Sequence, residues 1–331
     1  MADIFTINNL QMYYPIKKGF TKKLIGHVKA VNNVSLTIHE GETLGVVGES
    51  GCGKSTLGNC IIRLINPTGG EIIYHRENGE SINLVGMPDK ELKFYRKEAQ
   101  LIFQDPYSSL NPRKTVRDLV GEPLLVNDIC DKSEINNRVG TMLRRVGLRA
   151  EYMKRYPHAF SGGQRQRISI ARALIMRPRF VICDEAVSAL DVSVQAQVIE
   201  LLRDLQAEYK NTYLFISHDL SVVKHISDRI MVMYMGRVVE MCESDELFRN
   251  TLHPYAKALI DAVPDVDKTR HKTPNVVKGE VGDATKDIPG CAFAPRCKYA
   301  TDICLKEHPP LVNAGGEGDQ EHWVCCHNRL G

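Results

Sequence analysis

The stretch TLGVVGESGCGKST, running from Thr43 to Thr56, narrows the folds open to this chain more than any other. TLGVV is a short apolar run that reads as a buried strand, and it breaks at Gly48 into a glycine-rich loop. Beyond Lys54 the apolar residues Leu57, Cys60, Ile61, Leu64 and Ile65 fall at helical spacing, and NPTGG supplies the Pro and Gly that stop a helix. The order is strand, glycine loop, helix. Gly48 to Ser55 fits G-x-x-x-x-G-K-[ST], a pattern with a mechanism. Gly48, Gly51 and Gly53 let the backbone curl so that its N–H groups face phosphate oxygens, and the following helix adds its positive end. Glu49, Ser50, Cys52 and Thr56 complete the loop; Lys54 would bind the β- and γ-phosphates and Ser55 would ligate Mg²⁺.

The chain has 331 residues, enough for one large domain or two ordinary ones. At 43% hydrophobic and 25% charged it has the composition of a folded protein. A net charge of +3 is too mild to argue for nucleic acid. MADIFTINNL has no basic region followed by an apolar run, so no secretory leader is expected. No stretch approaches the roughly 18 uninterrupted apolar residues of a membrane helix, so a soluble, cytoplasmic chain is expected. Five of its ten cysteines, Cys52, Cys60, Cys130, Cys183 and Cys242, are scattered in apolar or Gly-rich settings and read as small buried hydrophobes.

Further along, DPYSSLNPRKTV reads as a turn-rich loop. KSEINNRVGTMLRRVGL places Ile135, Val139, Met142, Leu143 and Val146 at helical spacing, so a mainly helical insertion is expected over about 105–156. SGGQRQRISIARALIMRP returns to a helix, with Ser161 as its N-cap and Pro178 as its stop. FVIC is a short buried strand. A helix follows with Val194, Val198, Leu201, Leu202 and Leu205 on one face, then the strand TYLFIS, then RIMVMYMGRVVE as two strands around Gly236. Apolar strands alternating with helices imply an α/β fold with a parallel sheet. Such sheets carry functional groups at strand ends, where Gly48, Asp184, Glu185 and His218 lie. About 266–289 is polar with little periodicity and reads as a linker.

FVICDEAVSALD ends an apolar strand in two carboxylates. Asp184 would hold Mg²⁺ through water, and Glu185 would orient the attacking water or take its proton. Gln104, after QLIF, could reach the metal or that water, and His218 could contact the γ-phosphate. Ser161–Gly162–Gly163–Gln164 opens a second helix and so makes a second anion-binding terminus. One nucleotide does not need two such termini from one face. Two chains head to tail would let each Ser-Gly-Gly-Gln close on the other's γ-phosphate.

The glycine loop, Gln104, SGGQ, ICDEAVSALD and His218, in this order, resemble the nucleotide-binding subunit of an ATP-binding cassette (ABC) transporter over about residues 1–265. The resemblance implies a P-loop NTPase core with a mixed sheet, a helical subdomain over about 105–165, and ATP hydrolysis at a dimer interface. It also assigns an aromatic near the start to stack on adenine: in NLQMYYP that is Tyr14, with Tyr13 second. GHVKAVNNVSL, IFQDPYSSLNPR, RYPHAFSGGQRQRI, SALDVSVQAQV, TYLFISHDLSVVKHISDRI and HPYAKAL are similar to the oligopeptide/dipeptide importer subfamily, nearest its F-type ATPase. There the ATPase pairs with a homologous D-type ATPase beneath two membrane permeases, at the cytoplasmic face, and an extracytoplasmic binding protein delivers the peptide. The same subfamily includes nickel importers, so cargo stays open. Tyr107–Arg113 would face the permease coupling helix. One cassette, no heptad run and a weak charge argue against a soluble ABC ATPase of DNA repair or translation. SSLNPR, HPYAKAL and the tail argue against an exporter. Ala186 stands where the family has Pro, and Phe160 where the wider family has Leu. Both carboxylates remain, so Ala186 loosens a turn and leaves the hydrolysis rate open.

The expected extension over 266–331 holds Cys291, Cys297 and Cys304 at C-x5-C-x6-C spacing, then Cys325 and Cys326. The C-x2-4-C knuckles of structural zinc are absent, and disulfides suit secreted proteins. Three spaced thiolates and a distant fourth can hold a [4Fe–4S] cluster, with zinc and no metal as the alternatives. The resemblance favours the cluster and, from the subfamily's usual Cys-His ending, Cys326 over Cys325 as its fourth ligand.

Overall fold

The computed structural model describes residues 2–18, 23–263, 282, 285, 288–315 and 321–330. Most of the expected linker lies outside them. Along the chain come β1 (Asp3–Lys18), β2 (Lys23–His39), β3 (Thr43–Val47), α1 (Lys54–Ile61), β4 (Gly69–His75) and β5 (Ser81–Asn83). There follow α2 (Tyr95–Glu98), β6 (Ala99–Ile102), α3 (Pro106–Ser109), α4 (Val116–Val126), α5 (Lys132–Arg145), α6 (Gly162–Leu174), β7 (Phe180–Asp184), α7 (Val192–Tyr209) and β8 (Thr212–Ile216). The rest is α8 (Leu220–Ile226), β9 (Arg229–Tyr234), β10 (Arg237–Glu243), α9 (Ser244–Arg249), α10 (Pro254–Asp261), α11 (Asp302–Lys306), β11 (Val312–Asn313) and β12 (Trp323–Val324). Packing separates two units: 1–39, 43–86 and 217–331 form one, 40–42 and 87–216 the other.

The first unit holds an antiparallel sheet in the order β2-β1-β4-β5 and the strands β11-β12-β10-β9-β3. All five residues of β3 are buried, and β3 runs parallel to β9, Leu44 facing Arg229 and Val47 facing Val232. β9 and β10 are antiparallel around Gly236, so the sheet is mixed. The cysteine-bearing tail joins it directly, with β12 pairing antiparallel to β10 through Glu240–Val324 and Met241–Trp323. The antiparallel sheet was not legible beforehand. β1 buries Ile4, Phe5, Ile7, Leu10 and Met12, and its alternation is broken where the register to β2 slips around Leu10. Asn9 and Asn33, with φ of 47° and 54°, take the left-handed conformation near those slips, which Asn tolerates better than most residues.

The second unit holds three parallel strands in the order β8-β7-β6 and a set of helices. α5 buries Ile135, Val139, Met142 and Leu143, and Val146 beyond it is buried too, matching the helical spacing. Ser161 caps α6 in a reciprocal box with Gln164. α7 buries Val198, Leu201, Leu202 and Leu205.

Three expectations need correction. The helix after the glycine loop stops at Ile61: Arg63 turns left-handed at φ 57°, and Leu64 is 62% exposed rather than on the buried face. The 105–116 segment is not all loop, because Asp105 accepts bonds from the Tyr107 and Ser108 N–H groups and caps the single turn α3. Cys130 is only half-buried, unlike Cys52, Cys60, Cys183 and Cys242. Among the described residues no helix is long and apolar enough to cross a membrane.

Candidate active site

In the first unit the glycine loop leaves β3 at Gly48 and enters α1 at Lys54. Gly53 sits at φ 107°, and a Cβ there would come within 2.0 Å of the Ala30 carbonyl, so only glycine fits. Lys54 is 6% exposed. Its ammonium donates to the Gly48 carbonyl at 2.7 Å and the Glu49 carbonyl at 3.1 Å, which holds the cation inside the loop's curl. Cys52 is buried beneath it, and burial pushes that thiol up despite the nearby Lys54 charge. Ser50 and Ser55 are exposed, and Thr56 is half-buried. His218 is exposed at the start of the segment that Asp219 caps as α8. On β1, Tyr14 is 36% exposed. Tyr13 is engaged instead, its hydroxyl bonded to the Asn32 amide at 2.8 Å and its ring under the Lys29 ammonium at 5.6 Å.

In the second unit β7 delivers Asp184 as its last residue, with Glu185 next. Glu185 takes φ 46°, a conformation costing a non-glycine residue about 1–2 kcal/mol. Its N–H donates to the Ile216 carbonyl at 2.9 Å, and its carbonyl accepts from the Ser188 N–H and hydroxyl. These bonds brace the turn, and Ala186 within it is buried. Gln104 Nε2 donates to Glu185 Oε2 at 2.7 Å, so two residues 81 apart in sequence meet as one polar pair. No sequence signal gave that pairing. At α6 the Ser161 hydroxyl accepts from the Gln164 N–H, and the Gln164 side chain returns a bond to the Ser161 N–H. Gly162 and Gly163 present the first turn of that helix without side chains. Tyr107 is 60% exposed, with the Arg165 guanidinium 4.1 Å over its ring. Asn111, Pro112 and Arg113 are exposed as well.

The tail thiols divide into two places. Cys291, Cys297, Cys304 and Cys326 line one small cavity with Phe293, His327 and Asn328. Cys325 instead donates to the Pro309 carbonyl at 3.0 Å and lines a different cleft with His308 and Trp323. Burial raises Cys291 and Cys297, and raises Cys326 to about 11. A metal that bound them would have to displace their protons. Among the described residues, one set brings three ligand atoms within 4.8 Å of one another, and it is not the tail quartet: Glu240, Cys242 and His322, all buried. Its carboxylate is already engaged by three protein partners. Glu240 accepts from the Leu252 N–H and His253 N–H, each at 2.8 Å, and meets His322 Nε2 at 2.7 Å.

Residues 31–188 match the ABC transporter family, and residues 239–304 match the oligopeptide/dipeptide transporter C-terminal region. The chain is 47% identical to the oligopeptide transport ATP-binding protein AppF of Bacillus subtilis, over 98% of this chain and 97% of that protein. It is 46% identical to the oligopeptide transport ATP-binding protein OppF of Escherichia coli, over 98% and 95%. Among solved structures, cbiO1 of Clostridium perfringens, part of the ABC transporter complex cbiONQ, superposes with a TM-score of 0.63 at 26% identity, covering 75% of this chain and 92% of that one. The ATP-binding cassette MJ0796, in a post-hydrolysis dimer with ADP and Pi, gives 0.62 at 30% identity, covering 72% and 98%.

Proposed function

The chain belongs to the ABC transporter family as an ATP-hydrolysing subunit, and we propose that it powers the import of peptides through a pair of membrane permeases. The observation that carries this is near-full-length likeness to ATP-binding proteins named for oligopeptide transport, which extends into their C-terminal region. That favours peptides over nickel as cargo. The chain then works at the cytoplasmic face of the membrane with a homologous D-type ATPase, and an extracytoplasmic binding protein hands peptide to the permeases. The exposed Tyr107 and Asn111–Arg113 supply the permease-facing surface.

The roles follow from the side chains. Gly48–Thr56 cradle the ATP phosphates, with Lys54 as the fixed cation, and Tyr14 offers its exposed face to adenine. Ser55, Gln104 and Asp184 supply oxygen ligands of the kind Mg²⁺ prefers; bound there, the ion would neutralise charge developing on the phosphates. Glu185, fixed by its turn and by Gln104, orients the attacking water and accepts its proton, and His218 contacts the γ-phosphate. Ser161–Gln164 close on the nucleotide held by the partner ATPase. Because these closing contacts exist only with ATP bound, binding drives dimer closure and hydrolysis reverses it.

A [4Fe–4S] cluster is the tail cofactor this reading implies. The four thiols lining one cavity fit it as a donor set, whereas Cys325 is committed to Pro309. Such a cluster would serve to hold the tail's fold, because none of these thiols has a role in hydrolysis.

In the assembled transporter, Glu185→Gln should keep ATP binding and lower turnover about 100-fold or more. Near wild-type hydrolysis would remove Glu185 from its role. Detergent extraction should bring down two permeases and a second ATPase, and cells lacking the chain should lose uptake of labelled peptides.

A further inference from the structure

Arg296 has no part in the roles above, yet it ties the tail to the glycine loop. Its guanidinium makes a bidentate pair with the Glu49 carboxylate, Nη1 to Oε2 at 2.8 Å and Nη2 to Oε1 at 2.9 Å. Nη1 also donates to the Tyr234 hydroxyl at 3.2 Å. The pair is largely shielded, with Arg296 8% and Glu49 25% exposed. Fork-to-fork pairs of this kind fix orientation as well as charge. The same loop residue is gripped a second time, because the Glu49 N–H donates to the Tyr255 hydroxyl at 2.9 Å. Tyr255 packs against Tyr234 at 4.6 Å and against Phe293 at 5.3 Å between ring centroids. Phe293 and Arg296 both lie between Cys291 and Cys297, on and beside the short turn Ala294–Arg296 that leads straight into Cys297. One tail segment therefore carries two side chains onto the loop's supports and two thiols into the cysteine-lined cavity.

Electrostatics gives this contact a consequence. Glu49 places a carboxylate on a loop that receives a polyanion. Left uncompensated, that charge would oppose phosphate binding through a poorly screened path. Paired with Arg296 it is neutralised and its side chain is held in one direction. We propose that Arg296 is a positioning residue of the nucleotide site. It holds and neutralises Glu49, so that docking of the cysteine-bearing tail sets the affinity of the glycine loop for nucleotide. This rests on Gly48–Thr56 being the phosphate-binding loop. The thiol site then acts on ATP binding through Arg296 while staying outside the hydrolysis chemistry.

The test measures the Kd of a fluorescent ATP analogue with Mg²⁺ on the purified full chain. Arg296→Ala should weaken binding about ten-fold, or ~1.4 kcal/mol. The double variant that adds Glu49→Gln to Arg296→Ala should bind at least about three-fold more tightly than Arg296→Ala alone, because the uncompensated carboxylate is then gone. The double variant lacks the same arginine, so repaired tail packing cannot produce that recovery. Unchanged binding by Arg296→Ala overturns the proposal, and so does a double variant as weak as the single. Lys54→Ala separates the two layers. If it binds nucleotide normally, the phosphate-loop reading falls and this inference with it. If it fails to bind while Arg296→Ala binds normally, only the inference falls.

Discussion

His253 should make the first unit acid-labile. It is 1% exposed, and its Nδ1 accepts the Tyr255 N–H at 3.0 Å, capping α10. Its ring packs against Phe293 at 5.9 Å. Burial strips water from the imidazole and lowers its pKa to about 3. The folded chain thus keeps His253 neutral while the unfolded chain protonates it near pH 6.5. Between these values the unfolded state binds more protons, so stability rises with pH. The contribution is complete above about pH 6.5 and is lost as pH falls toward 3. Because the full slope of about 1.4 kcal/mol per pH unit is reached only below pH 6.5, going from pH 6.5 to 4.5 removes about 2 kcal/mol. His253→Asn keeps an acceptor suited to a helix N-cap but cannot titrate. The chain has one tryptophan, Trp323 on β12 of the same unit, so its fluorescence reports this unfolding. Urea midpoints taken from pH 7 to 4.5 should fall more steeply for wild type than for the variant, the gap widening by about 2.5 kcal/mol by the low end. Parallel pH profiles would refute the reasoning, because removal of the titrating ring would then have changed nothing.

Glu240→Ala should destabilise the same unit by about 3–5 kcal/mol, since it strands the buried His322 and two backbone donors at Leu252 and His253; an unmoved Trp323 unfolding midpoint would contradict this. Anaerobically purified protein should carry iron that survives Cys325→Ser and is lost in Cys326→Ser, read by metal analysis and visible absorption; zinc in place of iron, or iron kept by Cys326→Ser, would remove the ligand set proposed from the cavity. Gln104→Ala deletes the 2.7 Å bond that steadies Glu185 along with a proposed Mg²⁺ ligand, and should slow ATP turnover about ten-fold or more, a larger loss than in nucleotide affinity; equal losses in both would make Gln104 a binding residue only.

What the sequence reveals here is chemistry that is local along the chain. The glycine loop is legible because strand, turn and helix follow one another within Thr43–Ile61, and the α6 cap because Ser161 and Gln164 are three apart. Helical spacing overran α1 because the apolar pattern continues to Leu64 after Arg63 has turned the chain away; a periodic pattern marks a face and not an end. The β1–β2 sheet was hidden because register slips interrupt the alternation that would announce it.

The pairs that organise the tail lie beyond any local signal: Glu49 and Arg296 are separated by 247 positions, Glu240 and His322 by 82. Each member, read alone, is an unremarkable charged residue. Their meaning comes from closure. β12 joins β10 by backbone bonds, His322 meets the buried Glu240 on that same β10, and Arg296 reaches the loop that leaves β3. A segment held only by its thiols could be removed without consequence for the loop. A segment that completes a sheet, satisfies a buried carboxylate and neutralises a charge on the glycine loop cannot, and its cysteines gain influence over the nucleotide from where their neighbours in sequence are placed.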